Sequence, residues 1–241
     1  MVFWYYPYLA DTSIIPWPQL KNKSVLEVGL GYGSVGRRGI QYGTLYTALD
    51  VAKRPIDFLS KTTQQSNATF LKESALTMPF SDDTFDYVIS IGCLHHTGDL
   101  PKALNECIRV LKSGGTVVLM VYNALSYKRW ITRPLETFRR KSHICTGKKT
   151  PERVGKDAWW YDRNMDGAAA PSTVFTTKSE MRELLTNISI QSIEIKNIDK
   201  VQDLLPLGLQ IRAIDRVRIA SLRLPFIRRI GLDIYAVATK L

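Results

Sequence analysis

Cysteine is scarce in this 241-residue chain. Cys93, Cys107 and Cys145 are odd in number, and none is spaced as a metal ligand or as part of a disulfide frame. That excludes a disulfide scaffold and a cysteine-built metal centre, and a reducing cytoplasm is the expectation. No run approaches the ~18 apolar residues of a membrane-spanning helix. The first residues carry aromatics, but no basic stretch leading into an apolar one, so they do not read as a secretory leader. Apolar residues as such are not lacking. At 45% hydrophobic, the chain has enough to bury a full core, which excludes disorder throughout. The length suits one domain, or one domain with an insertion.

Acidic residues are in the minority, 22 against 33 Lys and Arg, for a net charge of +11. The excess is local. Residues 128–156 hold ten Lys and Arg against Glu136 and Glu152, and residues 211–229 hold six Arg against Asp215. The remainder is close to neutral. Basic segments of this kind face nucleic acid, an anionic membrane surface or an acidic substrate, or are merely solvated; charge alone does not choose among them.

What organises the chain is Val25-Leu26-Glu27-Val28-Gly29-Leu30-Gly31-Tyr32-Gly33-Ser34. A short apolar run from Ser24 to Val28 enters glycines and restarts as a helix near 34–42. This is the first strand–turn–helix unit of a doubly wound sheet. Glycines there allow positive φ and let a ligand lie on the backbone. The helix start offers N–H groups to a polar or anionic ligand. Gly31 to Gly36 also satisfies G-x-G-x-x-G, so a dinucleotide fits as well. Asp50 ends the next apolar run, where an acidic residue takes a ribose diol in either case.

Strands are expected at 24–28, 44–50, 68–72, 84–90 and 115–122, with helices near 34–42, 53–66 and 99–111. The alternation predicts a parallel α/β sheet. Asp99-Leu100-Pro101 opens the third helix with an acidic cap and an early proline. Ser113-Gly114-Gly115 is expected to stop it.

Four motifs then occur in order across residues 24–122. They are Glu27 to Gly33; Glu73-Ser74-Ala75-Leu76-Thr77-Met78-Pro79-Phe80 running on to Val88; Leu94-His95-His96; and Arg109-Val110-Leu111-Lys112-Ser113-Gly114-Gly115. The set closely resembles the class I S-adenosylmethionine-dependent methyltransferases, in particular the ubiquinone/menaquinone-methyltransferase-like (type 11) branch. The resemblance implies a Rossmann-like, doubly wound, mostly parallel seven-stranded sheet with an antiparallel edge strand and an inserted lid. S-adenosylmethionine is the implied cofactor and S-adenosylhomocysteine the product. Gly29, Gly31 and Gly33 would admit the methionine part, with Glu27 steadying the loop. Asp50 would take the ribose hydroxyls and Val51 would pack on the adenine. Ser74, Ala75 and Leu76 would read the adenine edge, although the family usually has Asp where this chain has Ser74. Ile91 and Gly92 would lie beside the amino and sulfonium end.

A sulfonium methyl is already activated, so the protein mainly aligns an acceptor and excludes water. A base is needed only for a poorly acidic acceptor. His95 and His96 lie at the C-terminal rim of the sheet and serve either as base, His96 first, or as orienting groups. No metal site is expected.

The domain plan has four parts. Residues 1–23 are an extended aromatic arm that roofs the site or covers the core. Residues 24–122 are the cofactor-binding core. Residues 123–176 are an insertion, with a helix running to about Lys141, that acts as a lid or in dimerisation. Residues 177–241 hold a helix near 177–186 and the last two strands, Ile188 to Ile195 and Leu232 to Thr239. Between those strands, 204–229 is a basic amphipathic segment that lies on an anionic membrane or packs on its own core.

The reading is a methyltransferase acting on oxygen, nitrogen or carbon of a small, anionic or lipid-like molecule. Its alternatives are a tRNA wobble-uridine-type methyltransferase, with nucleic acid not favoured as partner, and a non-catalytic partner subunit.

Overall fold

The structure is a computed structural model that describes residues 14–63, 68–146, 172–188, 190–198 and 231–241. The arm before Ile14, the polar stretch after Thr146 with Trp159-Trp160, and the 204–229 segment lie outside the described residues.

Seven strands form one sheet: β1 (Ser24–Val28), β2 (Leu45–Asp50), β3 (Ala68–Lys72), β4 (Phe85–Ile91), β5 (Leu111–Tyr122), β6 (Ile190–Ile198) and β7 (Asp233–Lys240). The order is β3-β2-β1-β4-β5-β7-β6. β1 to β5 pair in parallel, while β7 runs antiparallel to both β5 and β6. Among the described residues, the α-helices are α1 (Ser34–Gln41), α2 (Lys53–Thr62), α3 (Leu100–Val110), α4 (Tyr127–Thr132), α5 (Pro134–Cys145) and α6 (Lys178–Thr186). The doubly wound α/β fold expected from the residue pattern is the fold observed.

Strand alternation sorts β5 onto two cores. Val117, Leu119 and Val121 join Leu104 and Ile108 of α3 and Met181 and Leu185 of α6. Val118 and Met120 face the other way, onto Trp17, Leu20 and Val35. Helix signals act as expected at two starts. The Asp99 side chain accepts from the Lys102 N–H, and Thr177 with Glu180 forms a reciprocal capping box.

Three local expectations are corrected. Residues 17–20 form one 3-10 turn, not extended chain, with Pro18 in its first turn; Ile14, Ile15, Trp17 and Leu20 are buried. Ser113 to Gly115 does not separate helix from strand. β5 starts at Leu111 directly after α3, and its register against β4 shifts between Phe85 and Tyr87, so these residues form a bulge inside the strand. The expected helix toward Lys141 is two helices, because Arg133 precedes Pro134 and leaves the helical region (φ −145°, ψ 58°).

Arg109 holds the 76–82 loop. Its guanidinium donates to the carbonyls of Phe80 (2.7 Å) and Met78 (3.0 Å), and it pairs with Glu106 (2.8 Å) and Asp82 (2.8 Å). Glu106 in turn accepts from the Met78 N–H at 2.7 Å. These bonds pull the Glu106 carboxyl below its ordinary range, first through Arg109 and against the cost of burial. Arg109→Met leaves two carbonyls and a carboxylate without their donor, so it should cost about 1–3 kcal/mol in urea unfolding. Asp82→Asn, at the exposed end of the cluster, should stay within about 0.5 kcal/mol.

Candidate functional site

The C-terminal ends of β1, β2 and β4 converge on the glycine loop. Gly29 (φ 83°), Gly31 (φ 49°) and Gly33 (φ 71°) all adopt left-handed backbone. Their surroundings differ. A Cβ on Gly29 would lie 2.3 Å from the Cβ of Cys93, and one on Gly33 would lie 2.4 Å from Leu59. Gly36 has the same role for α1, with the Tyr46 hydroxyl 2.4 Å from the Cβ position. Three glycines thus serve the protein's own packing. Gly31 alone of this loop has nothing within 4 Å of its Cβ position among the described residues.

Asp50, at the end of β2, ties the loops together. One carboxylate oxygen accepts from the Leu30 N–H (2.8 Å) and the other from the Ala52 N–H (2.8 Å). Val51 beside it is 65% exposed. The Ser74 hydroxyl accepts from the Leu76 N–H at 3.1 Å, so it is turned onto its own backbone, and Ala75 is buried. Gly92 (φ 78°) follows Ile91 at the end of β4 and donates its N–H to the Met120 carbonyl.

Glu27 is buried beneath the loop and accepts a hydrogen bond from the Tyr46 hydroxyl. Burial pushes its carboxyl up to about 8; Asp50 adds to the rise and the Tyr46 bond opposes it. The Cys93 thiol is pushed up to about 12 by burial, then by Asp50 and Glu27. It is a packing group, not a nucleophile.

The two histidines part company. His95 is fully buried, and neither ring nitrogen has a hydrogen-bond partner among the described residues. Burial, and then His96, drive its pKa well below the ordinary value, so the ring is neutral. It packs 4.2 Å from the Tyr122 ring, centre to centre. His96 is only partly buried, and its Nδ1 lies 3.1 Å from the Ser172 carbonyl and 3.1 Å from the Thr173 hydroxyl. A carbonyl oxygen only accepts, so Nδ1 carries a hydrogen, and of the two neutral tautomers this bond selects the one with its lone pair on Nε2.

The segment that meets His96 is 172–176. Val174 donates its N–H to the His95 carbonyl (2.8 Å), and Thr176 donates its N–H to the Tyr122 carbonyl (3.0 Å). Phe175 stacks on Tyr122 with ring centres 6.0 Å apart, and the Arg129 guanidinium lies 4.3 Å over the Phe175 ring. Arg140 pairs with Glu180 at 2.7 Å and so joins α5 to α6. These contacts set an aromatic wall and a histidine side by side at the sheet rim.

A methyltransferase-domain family model matches residues 26–119. Residues 26–119 form a class I methyltransferase domain. Among curated proteins, the chain is 29% identical over 126 residues to ajmaline N-methyltransferase of Rauvolfia serpentina, covering 49% of this chain and 43% of that protein. It is 34% identical over 102 residues to phthiotriol/phenolphthiotriol dimycocerosates methyltransferase of Mycobacterium leprae, covering 40% and 36%. The chain thus spans about two fifths of the length of these relatives. The fold matches a crystal structure of an S-adenosylmethionine-dependent methyltransferase from Mesorhizobium loti, with TM-score 0.64, 14% identity and coverage of 98% and 97%.

S-adenosylmethionine is the cofactor of this methyltransferase domain. The residues present fit it: an open glycine, a carboxylate whose oxygens each keep a further lone pair, and an exposed valine next to that carboxylate. The two relatives differ in the molecule each is named for, so the match speaks for the donor side of the site.

Several side chains of this candidate site escape the sequence motifs. Cys93 shows no sign in sequence that it fills the space beneath Gly29. Ser172, Thr173 and Phe175 lie 76 or more residues after His96, in a stretch with no periodic signal.

The buried Glu27 carries a pH signature. Its folded pKa of about 8 exceeds the ordinary glutamate value of 4.5. The stability it contributes is whole below the lower value and is lost as pH rises through the higher one. Urea unfolding should therefore show the methyltransferase domain losing a few kcal/mol between about pH 5 and about pH 8. Glu27→Gln should flatten that slope.

Proposed function

We propose that the chain transfers the methyl group of S-adenosylmethionine to a nitrogen or oxygen of a small-molecule acceptor, with His96 as the proton acceptor. The observation that carries this reading is the bond from His96 Nδ1 to the Ser172 carbonyl, which selects the neutral tautomer whose basic nitrogen is Nε2. His95 is buried and neutral, and supports the His96 and Tyr122 rings instead.

In this reading Asp50 binds the ribose hydroxyls, Val51 covers the adenine, and the backbone at Gly31 admits the methionine part. Ile91 and Gly92 line its far end. Glu27 holds β1 under the loop through Tyr46. Ser74, engaged with Leu76, orders the turn, and the backbone of Ala75 and Leu76 meets the adenine edge. The bound cofactor supplies an electrophilic methyl on sulfur. Tyr122 and Phe175 form one wall of the acceptor site, excluding water and orienting the nucleophile. His96 Nε2 takes the proton that the acceptor loses. The expected acceptor is small and carries an amine or hydroxyl, and its apolar part lies on the aromatic wall.

Calorimetry tests the donor side. Wild type should bind S-adenosylmethionine, and Asp50→Ala should weaken binding by about 1–3 kcal/mol, since a paired ribose diol loses its acceptor. Formation of S-adenosylhomocysteine with a panel of amine and hydroxyl compounds tests the acceptor side. His96→Gln should lower turnover by about 10²-fold or more while cofactor affinity is kept. Wild-type protein that binds no cofactor would instead be a scaffold.

A further inference from the structure

Helix α5 is amphipathic the wrong way round, and Ile131 near the end of α4 is exposed as well. The buried residue of α5 is Thr137, whose hydroxyl donates to the carbonyl of Arg133 (2.8 Å) and lies 3.0 Å from that of Arg129. Arg140 also turns inward, to Glu180. The apolar side chains point out: Ile131 is 73%, Leu135 74% and Phe138 64% exposed. A helix that presents its apolar residues to solvent forgoes the main reason for its packing, and a cluster of this kind marks a surface that something covers. Leu135 and Phe138 share one face of α5 with exposed Arg139, and exposed Lys141 lies next to it. Residues 127–146 carry six Lys and Arg against Glu136 alone.

We propose that this outward face of α4 and α5 docks on an anionic lipid bilayer. Ile131, Leu135 and Phe138 would enter the boundary between headgroups and acyl chains, and Arg139 and Lys141 would meet lipid phosphates and carboxylates. The charges choose the occupant. A second copy of the chain in a two-fold dimer would bring this net-positive surface against an identical net-positive surface. A nucleic acid would answer the cations but leave the aliphatic Ile131 and Leu135 uncovered. A bilayer with anionic headgroups satisfies both. Its place in the fold is telling, because Arg129 of α4 lies on the Phe175 ring. A bilayer at this face is one helix away from the aromatic wall beside His96.

The test is sedimentation of the full chain with phosphatidylcholine vesicles, with and without phosphatidylserine. Wild type should pellet with the phosphatidylserine vesicles and largely stay in solution with the others. The triple variant Ile131→Ser, Leu135→Ser, Phe138→Ser should lose binding by ~10-fold or more. Arg139→Gln with Lys141→Gln should lose the preference for phosphatidylserine. Both variants alter exposed side chains, and S-adenosylmethionine affinity equal to wild type verifies that each is folded. Three results would overturn the proposal: wild type that ignores phosphatidylserine vesicles, a triple variant that binds them as wild type does, or a vesicle-free dimer that the triple variant turns into monomer. The last would identify a second copy as the occupant.

Discussion

Two hydrogen bonds to one carboxylate hold the architecture of this site. Asp50 ends β2, accepts the Leu30 N–H of the loop after β1, and accepts the Ala52 N–H at the entry to α2. Backbone in left-handed geometry, as at Gly29, Gly31 and Gly33, has little stability of its own. An ionised acceptor that binds it from the neighbouring strand gives the loop one defined position. Each oxygen still keeps a lone pair, so the group that orders the loop remains able to recognise a polar ligand. In the proposed function, position and recognition thus come from one side chain.

Packing reinforces this arrangement from below. Cys93 fills the space next to Gly29 and Leu59 the space next to Gly33, while the Tyr46 hydroxyl sits under Gly36 and bonds Glu27. Loop, helix and strand approach so closely that no side chain fits between them, and close-packed interiors pass such constraints on with little give. On the other side of β4, Arg109 fixes the 76–82 loop through two backbone carbonyls. Both walls of the proposed cofactor site are therefore held by groups outside it.

Much of this was legible in the residues. The alternation of apolar runs with helical periodicity, the glycine loop and Asp50 are local signals, and they led to the doubly wound sheet with strand ends within a residue or two over β1 to β4. The meaning of the individual glycines was not legible. Gly29 and Gly31 look alike in sequence and differ only in what lies opposite, Cys93 in one case and open space in the other. The difference between His95 and His96 is equally hidden. Adjacent residues on a 3-10 turn point different ways, and only the return of Ser172 and Thr173 from far along the chain sets the tautomer of one of them. Pro134 was readable as a helix break, but the helical run through 127–141 obscured it.

The position of β7 bears on how this protein folds. β7 lies between β5 and β6, pairing Thr116 with Thr239 and Tyr122 with Asp233, and Lys240 donates to the Leu111 carbonyl at 2.6 Å. These partners are more than a hundred residues apart in sequence, so loop closure for this pairing is slow relative to that within β1 to β4. Until β7 arrives, β6 has no place in the sheet, and one side of the apolar β5 is an open edge. An unpaired edge of that kind is a template for another chain. Pairing of β7 with both neighbours is thus the step that closes this edge.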